Sequence, residues 1–181
     1  GFLAVGTLTP HKLHDRLIRA FGTVAAEVPG ARLTVVGSAQ DEGMFKRLLD
    51  LRNALPDPSA CSVIPGVPRQ DVIGLMRSHH CLVMPSLIEG WSISLMEAAI
   101  AGMVCIATDV GSARDLAQKT SSVVLAPSPG GDVLELDGER MWAAIQSPLK
   151  GFEAALASAM IDAAKRFDVL DAAAKAAAPA L

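Results

Sequence analysis

Short apolar runs alternate with longer stretches in which apolar residues return every three or four positions, from the start of the chain to about residue 126. The runs predict strands over 2–6, 32–37, 62–64, 81–84, 104–107 and 122–126. Leu13, Leu17, Ile18, Phe21 and Val24 predict a helix over 11–27, which Pro29-Gly30 ends. Phe45, Leu48, Leu49 and Leu51 predict one over 41–54, and Val72, Ile73, Leu75 and Met76 one over 69–78. Two shorter helices are expected over 92–101 and 113–118. Leu33-Thr34-Val35-Val36 and Val104-Cys105-Ile106-Ala107 do not alternate polar with apolar residues, which is the mark of strands buried on both faces. The expected fold class is therefore α/β, a Rossmann-like, doubly wound parallel sheet of about six strands. Beyond Pro127-Ser128-Pro129-Gly130-Gly131 the pattern turns wholly helical, over 138–146, 149–167 and 169–178. Alanine dominates there, giving high helix propensity but little large apolar surface. The chain thus divides into a core at 1–126 and a helical segment at 127–181. That segment is expected to pack on the core over one edge of the sheet, or to have lost a surface it once covered.

Composition narrows the classes. With 181 residues, 51% hydrophobic and 19% charged, the chain is long enough for one packed core and too apolar for disorder. Sixteen basic and nineteen acidic residues give a net charge of −3, interspersed along the chain, so no basic stripe points to nucleic acid. Cys61, Cys81 and Cys105 lie in apolar runs without CxxC spacing and read as buried free thiols in a reducing compartment. Stretches free of Asp, Glu, Lys and Arg reach only 12 residues (120–131), short of the roughly 20 of a spanning helix. The chain opens inside a strand pattern, without a basic leader or an initiator methionine, as a fragment would.

Neither G-x-G-x-x-G nor G-x-x-x-x-G-K-[ST] follows a strand, so dinucleotide and P-loop readings lose their main support. The chemistry gathers instead after the fourth strand, in Pro85-Ser86-Leu87-Ile88-Glu89-Gly90-Trp91-Ser92-Ile93-Ser94-Leu95-Met96-Glu97-Ala98. Glu89 and Glu97 bracket a glycine and the expected start of a helix. A loop at the carboxyl end of a parallel strand is where open α/β sheets bind ligands, and a helix starting near Ser92 would aim free N–H groups at the crevice as a phosphate site. Spacing alone leaves the two glutamates equally readable as solvated surface acids. His79-His80 lack a further ligand at metal-binding spacing and read as surface residues. Trp91 either covers a ligand or anchors its loop, Trp142 reads as helix packing, and the methionines read as core.

The segment resembles the E-x7-E signature of retaining glycosyltransferases of the GT-B fold, specifically the large family 4 "group 1" class. Five further stretches are similar, in the same order. They are Val5-Gly6-Thr7-Leu8-Thr9-Pro10-His11-Lys12, Leu33-Thr34-Val35-Val36-Gly37, Ile64-Pro65-Gly66-Val67-Pro68, and Ala98 to Gly102 followed by Thr108-Asp109-Val110-Gly111-Ser112. The resemblance covers roughly residues 1–126. It implies one half of a GT-B fold, the half that binds a UDP-, GDP- or ADP-linked sugar, with the N-terminal acceptor-binding half missing from this chain. It also implies roles for residues at matching positions. Glu89 would hydrogen-bond the transferred sugar, Gly90, Trp91 and Ser92 would line the sugar pocket, and N–H groups near Ser94 and Leu95 would hold the diphosphate. Glu97 would bind the ribose hydroxyls, Gly6 and Thr7 would form the first loop at the phosphates, Lys12 would neutralise them, and backbone near Val67 would meet the base. No cofactor or metal is required in this class, because a cation and oriented amides stabilise the leaving group. A cytoplasmic enzyme is implied, with room for peripheral contact at the inner face of the membrane through the missing half.

Three departures stand out. Thr7 occupies a position where many members carry arginine, and His11 offers at most a partial substitute. Met103 stands in a Gly-x-Pro-Val stretch where proline is usual (Gly102-Met103-Val104 here). The missing half leaves two other readings: a non-catalytic nucleotide-binding or scaffolding remnant, and a GT-B nucleotide-sugar epimerase.

Overall fold

The computed structural model describes residues 1–130 and 137–181. Six strands form one wholly parallel sheet: β1 (Phe2–Val5), β2 (Leu33–Gly37), β3 (Cys61–Pro65), β4 (Cys81–Met84), β5 (Val104–Thr108) and β6 (Val123–Ala126), in the order β3-β2-β1-β4-β5-β6. Their registers are in step, with Phe2 opposite Leu33 and Cys81. Every residue of β4 and β5 is buried, as two-sided apolar runs require. The helices are α1 (His14–Glu27), α2 (Glu42–Asn53), α3 (Arg69–Ser78), α4 (Ile93–Ile100), α5 (Ser112–Lys119), α6 (Gly138–Gln146), α7 (Lys150–Lys165) and α8 (Phe167–Ala177). One core cluster joins α1, α2 and α7 to one face of the sheet through Leu17, Phe21, Leu48, Leu156 and Met160. The other joins α3, α4 and α5 to the opposite face through Met76, Leu95, Ala98 and Leu116. The winding reverses between β1 and β4, the two strands from which the chain departs in opposite directions. That switch point leaves a crevice at their carboxyl ends.

Two expectations need correction. The helix expected over 11–27 begins at His14, because Pro10–Lys12 form a 3-10 turn and Leu13 takes a left-handed conformation at φ 51°. That conformation costs a leucine about 1–2 kcal/mol. The side chain is fully buried, worth about 1.5–3 kcal/mol, so burial wins. Helical periodicity cannot register a one-residue reversal, yet this one separates the turn that holds Lys12 from α1. The terminal helices, in turn, pack toward the β6 edge of the sheet and are not poor in apolar surface. α7 runs along α1 and beneath β5 and β6, and it carries more apolar surface than its alanine content suggests: Phe152, Leu156 and Met160 recur at i, i+4 spacing and are buried.

Buried Arg16 fastens this return. Its guanidinium donates to the carbonyls of Ser147 at 2.7 Å, Ile145 at 3.2 Å and Pro148 at 3.4 Å, and pairs with Glu153 at 3.2 Å. The carbonyls at the C-terminal end of α6, orphaned by helix geometry, thereby find donors. All three cysteines are buried and free, and burial pushes the thiols up to about 11 for Cys61 and about 12 for Cys81 and Cys105. His79 is half-buried and bonds Leu75 O at 2.7 Å and Thr34 Oγ1 at 3.0 Å, so it is not the free surface residue expected. Trp142, expected to pack, is exposed. Among the described residues no helix is long and apolar enough to cross a membrane.

Candidate functional site

Three chain segments converge on a cleft of about 490 Å³ at the switch point. The first is the loop after β1. Gly6 donates to Val36 O at 3.0 Å and Leu8 to Ser38 O at 3.0 Å, so the loop lies flat on the end of β2. A Cβ on Gly37 would fall 1.6 Å from Gly6 O; only glycine permits that approach. The 3-10 turn then presents Lys12 to the cleft, beside Gly6 and Thr7.

The second segment runs from Pro85 to the first turn of α4. Thr108 Oγ1 donates to Ser86 O at 2.6 Å, and Leu87 N–H to His11 O at 2.8 Å, tying this loop to β5 and to the 3-10 turn. Gly111 closes the other side. At φ 54° it lets Ser112 N–H reach Gly90 O at 3.0 Å, where a Cβ would sit 2.3 Å from that same oxygen. Glu89 is thereby held with its carboxylate 11% exposed, accepting from Ser86 Oγ at 2.8 Å and from Lys12 Nζ at 2.5 Å. Ser92 caps α4, its Oγ accepting from Leu95 N–H at 3.4 Å. Ser94 lines the cleft and donates from Oγ to Val5 O at 3.3 Å.

The third segment follows β3. Val67 and Arg69 line the cleft wall, and Arg69, the first residue of α3, reaches across to donate to Glu97 Oε1. Glu97 is one helical turn beyond Ser94 on the same face of α4. Trp91 is 65% exposed and lines the cleft mouth, so it does not anchor its loop in the core.

Most of the residues expected at a ligand site therefore border one cleft: Gly6, Thr7, Lys12, Val67, Glu89, Trp91, Ser92, Ser94 and Glu97. Two stand off it. The Leu95 side chain is buried and its N–H is taken by Ser92, so the first-turn amides without an acceptor four residues back are those of Ile93 and Ser94. Gly90 does not line the cleft, and its carbonyl faces Ser112. Sequence reasoning missed Arg69; the cation two residues past Val67 was the signal, masked by attention to the apolar positions of α3. It also missed His14. That ring is buried against Gly6, its Nδ1 has no hydrogen-bond partner, and burial, with Lys12 and His11 nearby, pushes its pKa down to about 3. His14 is thus neutral, and Lys12 and Arg69 are the cations among the residues lining the cleft.

Comparison with known proteins bears on the family and the fold. The chain is 28% identical over 109 residues to D-inositol 3-phosphate glycosyltransferase of Mycolicibacterium smegmatis, a match over 59% of this chain and 24% of that protein. The chain thus spans about a quarter of the length of the curated relatives it matches. Sucrose-phosphate synthase from Thermosynechococcus elongatus superposes with a TM-score of 0.61 at 16% identity, over 94% of this chain and 43% of that one. An E. coli structure described as trehalose-6-phosphate bound with UDP-2-fluoro glucose superposes at 0.58 and 12% identity, over 97% and 42%. These neighbours share the GT-B architecture, of which the sheet and its flanking helices correspond to one Rossmann-like half. The family model for glycosyl transferases group 1 matches residues 2–135, and the chain belongs to that family.

Proposed function

We propose that this chain is the donor-binding half of a retaining glycosyltransferase and that its cleft holds a nucleoside diphosphate sugar. The observation that carries the reading is the convergence of Lys12, Glu89, Glu97 and the first turn of α4 on one crevice, from segments far apart in sequence. The ribose hydroxyls lie on Glu97, the diphosphate between Lys12 and the amides of Ile93 and Ser94, and the sugar toward Glu89 and Trp91. As the bond from the anomeric carbon to the diphosphate oxygen breaks, negative charge grows on the leaving phosphate. Lys12 and the positive end of α4 stabilise that charge where it develops, and the reading calls for no metal ion. The complete enzyme places an acceptor from a second half over the cleft mouth and transfers the sugar to a glycan, lipid or small acceptor. The UDP-sugar analogue carried by the E. coli neighbour supports a nucleotide-linked donor of this kind.

Calorimetry against UDP, GDP and ADP, each with its nucleoside, tests the reading. The isolated chain is expected to bind one nucleoside diphosphate weakly, and to transfer no sugar to any acceptor while half of its cleft is absent. No heat with any of the three at millimolar concentration overturns it.

A further inference from the structure

Arg69 is an unassigned cation at the rim of the cleft. Its side chain is 74% exposed and paired with Glu97, whose own side chain is 29% exposed. Glu97 is also the carboxylate to which the proposed function gives the ribose. A ribose that takes both oxygens of Glu97 must displace the guanidinium. An ion pair this exposed is worth at most about 1 kcal/mol, so a ribose can break it.

The displaced guanidinium has a destination within reach. It starts at Glu97, one helical turn from Ser94, which lines the cleft with Ile93 at the start of α4. Lys12, the other cation lining that cleft, is 21% exposed and already shared with Glu89. Thr7 brings a hydroxyl and no charge to the loop beside it. A diphosphate entering here meets one lysine with a prior partner, and a planar fork of donors suits two phosphate oxygens better than a second lysine would.

We propose that Arg69 changes partners on ligand binding, leaving Glu97 to the ribose and closing over the diphosphate as its second cation. Arg69 then sets specificity. It opposes ligands that carry only a ribose and rewards those that carry the diphosphate as well. The inference rests on the donor reading above, and it assigns the phosphate charge to a residue outside the E-x7-E segment.

The two roles predict effects of opposite sign, which calorimetry with wild type, Arg69→Ala and Arg69→Lys reads directly. Using UDP and uridine, or the pair for whichever base binds, Arg69→Ala should weaken the diphosphate on the order of 10- to 100-fold, the loss of a charge-assisted contact. The nucleoside should bind Arg69→Ala no more weakly than wild type, and up to about fivefold more tightly, because Glu97 has lost its competitor. Arg69→Lys should recover part of the diphosphate affinity. Equal weakening of both ligands would place Arg69 on the base or ribose and overturn the exchange. Tightening of both would make Arg69 a competitor only, and no change in either would leave it a solvated side chain; each result overturns the inference while the donor reading stands. Failure of wild type to bind any nucleotide overturns both.

Discussion

In this structure Lys12 Nζ lies 2.5 Å from Glu89 Oε1, so an entering phosphate has to compete with a carboxylate for the lysine's protons. Glu89→Gln removes the competitor's charge and keeps its shape. The side chains are 21% and 11% exposed, which puts the pair between two regimes. A fully exposed pair would be worth about 0–1 kcal/mol, and a hydrogen bond to a charged group about 1.5–3 kcal/mol. An intermediate value of about 1–2 kcal/mol converts to a UDP affinity roughly 5- to 30-fold higher in the variant. The matching UDP-sugar should lose ground, because its contact with Glu89 is weakened while the gain at Lys12 is the same for both ligands. The ratio of UDP-sugar to UDP affinity therefore falls. Glu97→Gln supplies the contrast. Its pair with Arg69 is far more exposed, so little is gained by breaking it, and the lost ribose contact should weaken UDP and uridine alike by about 1.5–3 kcal/mol. Calorimetry of both variants with UDP, uridine and one UDP-sugar reads all of these quantities. Glu89→Gln weakening UDP as much as Glu97→Gln does would refute the competition argument and move Glu89 onto the nucleotide.

Two predictions concern the frame behind the site. Arg16→Ala leaves Glu153 only the more distant Arg19 at 4.0 Å, takes the donor from the carbonyls at the end of α6, and should cost about 3–5 kcal/mol, lowering Tm by roughly 2–4 °C per kcal/mol for a chain this size. Thermal melts followed by circular dichroism check this, and a loss under 1 kcal/mol would show that the guanidinium does not hold α6. His14 titrates near 6.5 when unfolded but only at about 3 when folded, so between these values the unfolded chain binds the extra proton and stability falls as pH falls. From pH 6.5 to 4.5 this one group should remove about 2–3 kcal/mol, a loss absent from His14→Phe; urea midpoints for both proteins at pH 7 and 4.5 would contradict it by falling in parallel.

The sheet was legible in the sequence because parallel strands buried on both faces leave uninterrupted apolar runs, and β4 and β5 are written that way. The cleft was legible in a different way. The βα repeat pointed to the loop after β4, but Gly6, Lys12, Glu89 and Glu97 were singled out by resemblance to family motifs, since spacing alone left the glutamates readable as surface acids. What escaped depended on partners distant along the chain. Arg69 meets Glu97 across 28 positions, and Arg16 meets Ser147 across 131. A polar residue's partner leaves no local periodicity, so Arg16 read as one more charge on α1, although His14 and Asp15 beside it are buried too. Leu13 was hidden differently, since its apolar side chain completes the helical pattern while its backbone breaks it. The alanine-rich α7 was undervalued because propensity describes the helix alone, whereas its burial depends on the groove offered by α1.

The fastening of Arg16 has a consequence for the order in which the molecule can be built. The guanidinium sits on α1 directly after the turn that presents Lys12, yet its acceptors lie at residues 145–153. A growing chain that has reached β6 already contains the whole sheet and every residue lining the cleft, but the buried position of Arg16 still lacks the groups that make it tolerable. Until α6 and the first turn of α7 have emerged, that side chain stays in water and α1 cannot settle fully against the sheet. A protein cut near residue 130 would keep the residues of its ligand site and lose the means of holding them in place.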